Sequence, residues 1–231
     1  MMNYSIAVIG GGNIAERHLA AINKMDKLTP VAVADINQER ANTLASSYDI
    51  KPYENYEDML RTEKPDIAVI AVPHFLHKKA AISAAENGCH ILVEKPIAMN
   101  VEESEEIIAA TKENNVNVLV CHTQQYMALN MKAKEILQSG VLGDIVMVND
   151  KRHVYYFNDN RPDWFFYKEK AGGGIVINMG VHSVDKIQWV TDSRVSTVKA
   201  MLSEQSFKGN VEGSGLIHME MINKSGKKFP A

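Results

Sequence analysis

A glycine-rich segment near the N-terminus has the composition of an anion-binding turn. From position 10 the sequence reads Gly-Gly-Gly-Asn-Ile-Ala, which is a G-x-G-x-x-A pattern. Gly10 permits a tight turn, Gly12 lets the backbone approach a pyrophosphate, and Ala15 lets a helix pack closely on a sheet. The pattern predicts that Gly10, Gly12, Asn13 and Ile14 bind a dinucleotide at the positive end of a helix.

Asp35 is the acidic residue that such a site requires. It stands 20 residues after Ala15, at the end of the second apolar run, where a carboxylate accepts hydrogen bonds from the adenosine ribose hydroxyls. The same carboxylate would repel a 2′-phosphate, and Arg40 is the one cation near it in sequence. The sequence therefore favours NAD over NADP as the cofactor.

A lysine stands where it can move a proton. Segment 72–77 follows the third long apolar run, and segment 94–96, Glu-Lys-Pro, follows the fourth. In a doubly wound sheet, ligands bind beyond the carboxyl ends of the strands. The Lys95 ammonium can hydrogen-bond a substrate hydroxyl there, stabilise a developing alkoxide and, with a lowered pKa, exchange a proton. An X–Pro bond such as Lys95–Pro96 can be cis in a tight turn.

Strands and helices must alternate to position these groups. Apolar runs rich in β-branched residues predict strands at 5–9, 31–35, 66–72, 90–94 and 116–121. Helical patterns lie between them, with Asn37 and Asn100 as predicted N-caps and Gly88 as a left-handed C-terminal residue. The alternation predicts an α/β fold with a Rossmann-type, doubly wound parallel sheet over residues 1–121.

The pattern changes after Cys121. A helix is predicted from about 130 to 140, a strand at 144–150 that continues toward 155, and two longer strands at 196–204 and 216–223. No helix is predicted between the last two strands, which favours antiparallel pairing. Residues 122–231 are therefore expected to form a second, α+β domain with a mainly antiparallel sheet that is shortened at its C-terminal end.

Motifs along nearly the whole chain resemble those of the Gfo/Idh/MocA family of oxidoreductases. The resemblance depends on the glycine turn, on Ala-Val-Pro at 71–73 with His77, on Glu-Lys-Pro at 94–96, and on the segment from 172 to 185. That last segment contains Gly-Gly-Gly followed by Asn178, His182 and Asp185. Residues 140–145 also resemble the turn by which the family enters its second domain.

The resemblance implies roles for individual residues. Lys95 and His182 would carry the proton chemistry, with Asn178 at a position that often holds aspartate. The dinucleotide would be seated by residues after the third and fourth strands, namely Val72, Pro73, His74, His77, Glu94 and Lys95. The family acts on sugars, polyols and nucleotide-linked sugars, and its members often pair through the second sheet, so a homo-oligomer is expected.

Asn178 has two interpretations. An aspartate at this position would stabilise protonated His182, whereas an asparagine orients the imidazole without adding charge. The substitution shifts the proton chemistry toward Lys95. Asparagine is also a favourable N-cap residue, so Asn178 can equally begin the helix that carries His182.

The aromatic loop that follows residue 150 also has two interpretations. His153, Tyr155, Arg161 and Trp164 can line a pocket for a polyhydroxylated substrate, or they can pack on the second domain. Gln125-Tyr126 departs from the arginine–aromatic pair common in the family. Because of this departure, the resemblance does not indicate which substrate the protein uses.

Composition excludes several classes of protein. The net charge of −3 leaves no excess of basic residues that would favour binding to nucleic acid. The sequence contains no run of eighteen apolar residues, so a membrane-spanning helix is not expected. Cys89 and Cys121 are expected to be buried, reduced thiols of a cytoplasmic protein. The remaining histidines lack the spacing of metal ligands, so no metal is predicted.

The sequence predicts an NAD-dependent dehydrogenase that transfers a hydride between the nicotinamide and a hydroxyl-bearing carbon of a sugar-like substrate. Two alternatives stay open. One is a binding or regulatory protein that uses NAD as a ligand, and it is favoured if the second domain is incomplete. The other is NAD-dependent glycoside cleavage through transient oxidation.

Overall fold

The computed structural model describes residues 3–203 and 205–231. The chain forms two compact units, Met1–Cys121 and His122–Ala231. The first contains a six-stranded sheet and the second a three-stranded sheet.

The first unit alternates strands and helices along the chain. Its strands are β1 (Tyr4–Ile9), β2 (Leu28–Ala34), β3 (Lys51–Tyr53), β4 (Ile67–Ile70), β5 (His90–Val93) and β6 (Val118–Val120). Its helices are α1 (Asn13–Ile22), α2 (Gln38–Tyr48), α3 (Tyr56–Glu63), α4 (His77–Glu86) and α5 (Val101–Glu113). All strands pair in parallel, in the order β3-β2-β1-β4-β5-β6. The predicted doubly wound sheet is confirmed, and β3 is an additional edge strand that the sequence did not indicate.

The central strands are apolar on both faces because helices cover both. Ala7 and Ile9 of β1 pack in one core with residues of α3, α4 and α5. Ile6 and Val8 point the other way and pack with residues of α1 and α2. This two-sided burial explains why the strands read as continuous apolar runs rather than alternating patterns.

Three predicted helix boundaries are confirmed. The Asn37 side chain accepts a hydrogen bond from Arg40 N at 3.1 Å, and the Asn100 side chain accepts one from Glu103 N at 2.8 Å. Both satisfy backbone donors that have no partner inside the helix. Gly88 follows α4 with φ of 76°.

Gly10 fits between the ends of three strands. Its φ is 105°, its N–H donates to Ala34 O at 2.7 Å, and a Cβ built on it would lie 2.6 Å from Ala71 O. Gly12, two residues later, has extended backbone (φ −82°, ψ 179°), and a Cβ there would meet no atom within 4 Å. Gly10 is therefore required by the fold, whereas Gly12 leaves open space.

A buried histidine joins the loops that follow β4 and β5. The His77 side chain is fully buried, with Nδ1 2.8 Å from Pro96 O and Nε2 2.9 Å from Val72 O. Burial lowers the pKa of His77, and the two carbonyl oxygens oppose this only in part. The neutral ring therefore donates one hydrogen bond in the space between the two loops.

The second unit combines an antiparallel sheet with helices. Its strands are β7 (Ser193–Leu202), β8 (Gly215–Asn223) and β9 (Lys228–Pro230), and its helices are α6 (Ala128–Gln138), α7 (Lys168–Ala171) and α8 (Val181–Thr191). β7 pairs with β8 and β8 with β9, all antiparallel. The two long predicted strands are confirmed, although Glu204, the predicted end of the first, lies outside the described residues.

The strand predicted at 144–150, with its continuation to 155, is wrong. The structure has irregular backbone over these residues, all of which it describes. Val148 N donates to Pro230 O at 3.0 Å, so the segment lies beside β9 without forming a ladder. Ile145 and Val148 pack against the core that includes Met221. The apolar alternation reflects this one-sided packing rather than strand pairing.

Across residues 3–203 and 205–231, no helix combines the length and apolar character needed to cross a membrane.

Replacing Gly10 and Gly12 by the same residue separates the demands of the fold from those of the site. Gly10→Ser should lower the free energy of unfolding by at least about 1–3 kcal/mol, because a side chain is strained at this φ and collides with Ala71 O. Gly12→Ser should change it by less than about 0.5 kcal/mol, since the position is open and serine is a good N-cap. Urea unfolding measures both. Equal destabilisation by the two substitutions would contradict the conclusion that the fold requires Gly10 but not Gly12.

His77→Phe should lower the free energy of unfolding by about 1–3 kcal/mol, because a buried carbonyl loses its donor. The wild type should also lose stability as the pH falls below 6.5, the ordinary pKa of histidine. With the folded pKa lowered, the unfolded chain binds more protons in this range. The loss between pH 7.5 and 5.5 should be smaller in His77→Phe, measured by urea unfolding at both pH values. An unchanged loss would contradict the buried neutral state.

Candidate active site

The glycine turn and Asp35 form one preorganised unit. Gly11 N donates to Asp35 Oδ2 at 2.6 Å, and Asn37 N donates to Oδ1 at 2.7 Å. The carboxylate is thus fixed at the carboxyl end of β2, directly beside the turn that begins α1. An ionised carboxylate has about four acceptor positions, so further hydrogen-bond acceptors remain for a ligand. The sequence indicated the acid but could not show that the turn itself holds it.

The other predicted residues of the turn face solvent. Gly12, Asn13 and Ile14 are exposed at the start of α1, where backbone N–H groups attract an anion. Arg40 is exposed in the first turn of α2, and its backbone N–H is bonded to the Asn37 cap.

The loop after β4 is more deeply buried than its predicted role suggests. Val72 and Pro73 are half-buried, whereas His74 is 4% exposed and its ring meets that of His77 edge-on at 5.6 Å. With His77 fully buried, the two rings support the loop from within. Val72 and Pro73 are partly accessible at the carboxyl edge of the sheet.

Glu94 is held by hydrogen bonds at the end of β5. Its Oε1 lies 3.0 Å from His18 Nε2, and its Oε2 accepts a hydrogen bond from Lys95 N at 3.2 Å. Burial alone raises the pKa of Glu94, but the hydrogen bond from His18 and the nearby charges outweigh burial and lower it. Lys95 follows, half-buried, and the Lys95–Pro96 peptide bond is cis. His18 is a site residue that the sequence pattern missed.

In the second unit, Asn178 lies inside a helix rather than at its start. A π-helical turn, Val176–Gly180, precedes α8, so the N-cap interpretation of Asn178 is wrong. The Glu212 side chain accepts hydrogen bonds from Gly174 N and Val176 N at 2.8 and 3.1 Å and satisfies the first donors of this helix. Glu212 is distant in sequence, so local spacing could not reveal this cap.

Asn178 and His182 lie about one helical turn apart. Asn178 is 4% exposed and His182 is half-buried. Asn178 contacts the hydroxyl of Tyr156, which is itself buried. Burial raises the pKa of Tyr156, while Arg161 and the hydrogen bond with Asn178 lower it. π-helical turns are frequent at functional sites.

The residues of the predicted substrate loop separate into two groups. The Arg161 guanidinium lies 4.5 Å from the centre of the Tyr156 ring, and Trp164 stacks on Phe165 at 3.7 Å. The Arg161 guanidinium also lies 4.9 Å from the centre of the Phe165 ring, so both side chains pack against aromatic rings. His153 and Tyr155 are exposed. The prediction that these four residues line a substrate pocket stays a prediction.

Gln125, which departs from the family pattern, has a hydrogen-bond partner that the sequence did not indicate. Its Nε2 donates to Asp185 Oδ1 at 2.8 Å. Asp185 Oδ2 and His122 Nδ1 lie 3.7 Å apart, and both are buried without a hydrogen-bond partner among the described residues. Gln125 thus satisfies one oxygen of a carboxylate on α8, in the same helix as His182.

Comparisons with known proteins identify the family to which the chain belongs. Residues 4–122 match the oxidoreductase family GFO/IDH/MocA, NAD-binding Rossmann fold, and residues 130–226 match the GFO/IDH/MocA C-terminal domain. Levoglucosan dehydrogenase of Pseudarthrobacter phenanthrenivorans is 31% identical over 217 residues, which cover 88% of this chain and 55% of that protein. D-glucoside 3-dehydrogenase of Escherichia coli is 30% identical over 190 residues, 80% of this chain and 53% of that protein.

A solved structure extends the similarity to the fold of the whole chain. The WlbA dehydrogenase of Chromobacterium violaceum, in complex with NADH and UDP-GlcNAcA, aligns with a TM-score of 0.85 at 25% identity, covering 100% of this chain and 66% of that one. The chain thus spans between about half and two thirds of the proteins that it matches. Because the first match covers more than half of the 231 residues, the chain belongs to the GFO/IDH/MocA family of NAD-binding Rossmann-fold oxidoreductases.

Proposed function

We propose that this protein is an NAD-dependent dehydrogenase that acts on a hydroxyl-bearing carbon of a sugar, polyol or nucleotide sugar. The observation that carries the proposal is the fixed Asp35 carboxylate under the glycine turn, next to the exposed start of α1. The activities named for the matching dehydrogenases support it. We further propose a cytoplasmic homo-oligomer, consistent with two free, buried cysteines and exposed apolar residues such as Val198, Met201 and Leu216 on the second sheet.

The residues of the first unit fit a dinucleotide. The space above Gly12 is open, so a pyrophosphate can approach the backbone there and meet the donors of the first turn of α1. Asp35 would accept hydrogen bonds from ribose hydroxyls with the acceptor positions that Gly11 and Asn37 leave. Glu94 and the loop at Val72 would seat the remainder of the cofactor at the same edge of the sheet. Bound NAD would supply the hydride acceptor and donor.

Lys95 would hold and move the hydroxyl proton. Its ammonium hydrogen-bonds a substrate hydroxyl in one protonation state, and its amine accepts the proton as a carbonyl forms. His182 would assist and position, and Asn178 would orient His182. Since an amide adds no negative charge, it does not stabilise imidazolium as a carboxylate would. Lys95 therefore carries the larger share of the proton chemistry in this proposal.

Lys95→Met should reduce turnover by about 10²-fold or more and change the Kd for NAD by less than about threefold. The measurement is the rate of NAD reduction with the most active compound from a panel of sugars, polyols and nucleotide sugars. Lys79→Met, which removes an exposed lysine of α4, is the matched control and should retain normal turnover. Near-normal turnover of Lys95→Met would refute its catalytic role. NAD binding without reduction by any compound in the wild type would favour the non-catalytic alternative.

The preference for NAD over NADP should depend on the charge of Asp35. Asp35→Asn keeps the size of the side chain and removes the repulsion of a 2′-phosphate, so the ratio of the NADP Kd to the NAD Kd should fall about tenfold or more. Fluorescence titration with both reduced cofactors measures the ratio. Gly12→Ser is the control, because it hinders the pyrophosphate common to both cofactors and should weaken both equally. An unchanged ratio in Asp35→Asn would assign the preference to another residue.

A further inference from the structure

Three different metal-ligating side chains meet at the carboxyl edge of the parallel sheet. They are His18 of α1, Glu94 after β5 and Cys121 after β6, and one nitrogen, one oxygen and the sulfur all lie within 4.8 Å of one another. Within the group, His18 Nε2 and Glu94 Oε1 are 3.0 Å apart. His18 and Glu94 side chains are each 17% exposed, and Cys121 is 7% exposed. Such burial distinguishes the cluster from ordinary surface acids.

The parallel sheet, not local sequence, assembles this cluster. Cys121 N donates to Val93 O at 2.8 Å, which fixes the start of the loop after β6 beside Glu94. The packing of α1 against the sheet brings His18 over the same strand ends. The three residues are widely separated along the chain, so the sequence-based expectation of no metal, which considered only local spacing, could not reveal them.

The donor set matches zinc. Zn²⁺ binds imidazole nitrogen, thiolate sulfur and carboxylate oxygen, and an open zinc site uses three protein ligands and leaves a fourth position. Tetrahedral zinc places its ligand atoms roughly 3.3–3.8 Å from one another, so no pair in the cluster must approach by more than about 1.5 Å. A thiolate selects zinc over magnesium or calcium, which prefer oxygen ligands.

We propose that His18, Glu94 and Cys121 bind one Zn²⁺ ion in a site with three protein ligands and an open fourth position. In the metal-free state, burial and, to a smaller extent, the nearby Glu94 together raise the pKa of the Cys121 thiol to about 12, so the thiol keeps its proton. Metal binding replaces this proton: Zn²⁺ and the thiol give a zinc–thiolate bond, and one proton passes to solvent. No oxidation or reduction is involved.

Cobalt is the probe, because Co²⁺ occupies zinc sites and a thiolate ligand gives it a near-ultraviolet charge-transfer band. The full protein, freed of metal by a chelator and kept reduced, is titrated with Co²⁺. The band should grow to one equivalent of Co²⁺ and disappear when Zn²⁺ is added. Absence of the band in the wild type, or persistence of the cobalt band in excess Zn²⁺, would overturn the proposal.

Variants separate this site from other thiols and histidines. Cys121→Ala should abolish the band, whereas Cys89→Ala, which removes the other buried cysteine, should retain it. His18→Gln keeps a hydrogen-bond donor toward Glu94 but lacks the imidazole, so it should stay folded by circular dichroism and bind Zn²⁺ at least tenfold more weakly. A band that survives in folded Cys121→Ala, or unchanged Zn²⁺ affinity in folded His18→Gln, would refute the assignment. These readouts need neither NAD nor turnover, so they stand apart from the proposed dehydrogenase activity.

Discussion

The close approach of Gly10 to the residue that follows β4 constrains the whole carboxyl edge of the parallel sheet. Gly10 N is bonded to Ala34 O of β2, and Ala71 N is bonded to Ile9 O of β1, so three strands end together around one residue that has no side chain. Any Cβ at position 10 would push Ala71 away and separate the β1 turn from the β4 loop. Gly11, and with it the hydrogen bond that fixes Asp35, would move as well. The acid, the turn and the loop at Val72 are therefore held in place by one steric requirement.

A second constraint acts where the chain leaves β4 and β5. His77 fills the space between Val72 O and Pro96 O, so the two loops are positioned relative to each other by a buried ring rather than by a strand ladder. Lys95 belongs to the loop after β5, and its backbone is bonded to Glu94. Hydrogen bonding of this kind limits the motion of the loop that carries Lys95, which we propose as the proton-transfer group and which would need accurate positioning.

The extent to which the fold could be predicted follows from the range of the forces involved. The strands of the first unit were recognisable because burial on both faces demands continuous apolar residues, and the caps Asn37 and Asn100 because they act within one helical turn. β3 escaped prediction because its residues, Lys51–Tyr53, are not an apolar run and owe their strand conformation to pairing with β2. Segment 144–155 failed for the opposite reason, since its apolar residues pack on a core without pairing.

The distinction between local and long-range interactions applies to the site as well. It also helps to explain why asparagine occupies position 178. Local motifs indicated Asp35, Lys95 and His182, but not two contacts between residues far apart in sequence. These are the pairing of His18 with Glu94 and the capping of the Gly174 and Val176 N–H groups by Glu212. Asn178 lies almost fully buried beside Tyr156, in a helical turn whose first donors Glu212 already satisfies. A second carboxylate in this region would require a compensating charge or protonation, because desolvation disfavours an ionised acid. An amide can form the same hydrogen bonds without the desolvation penalty of a buried carboxylate. In our proposal, Asn178 therefore orients His182 without adding charge, and Lys95 carries the larger share of the proton chemistry.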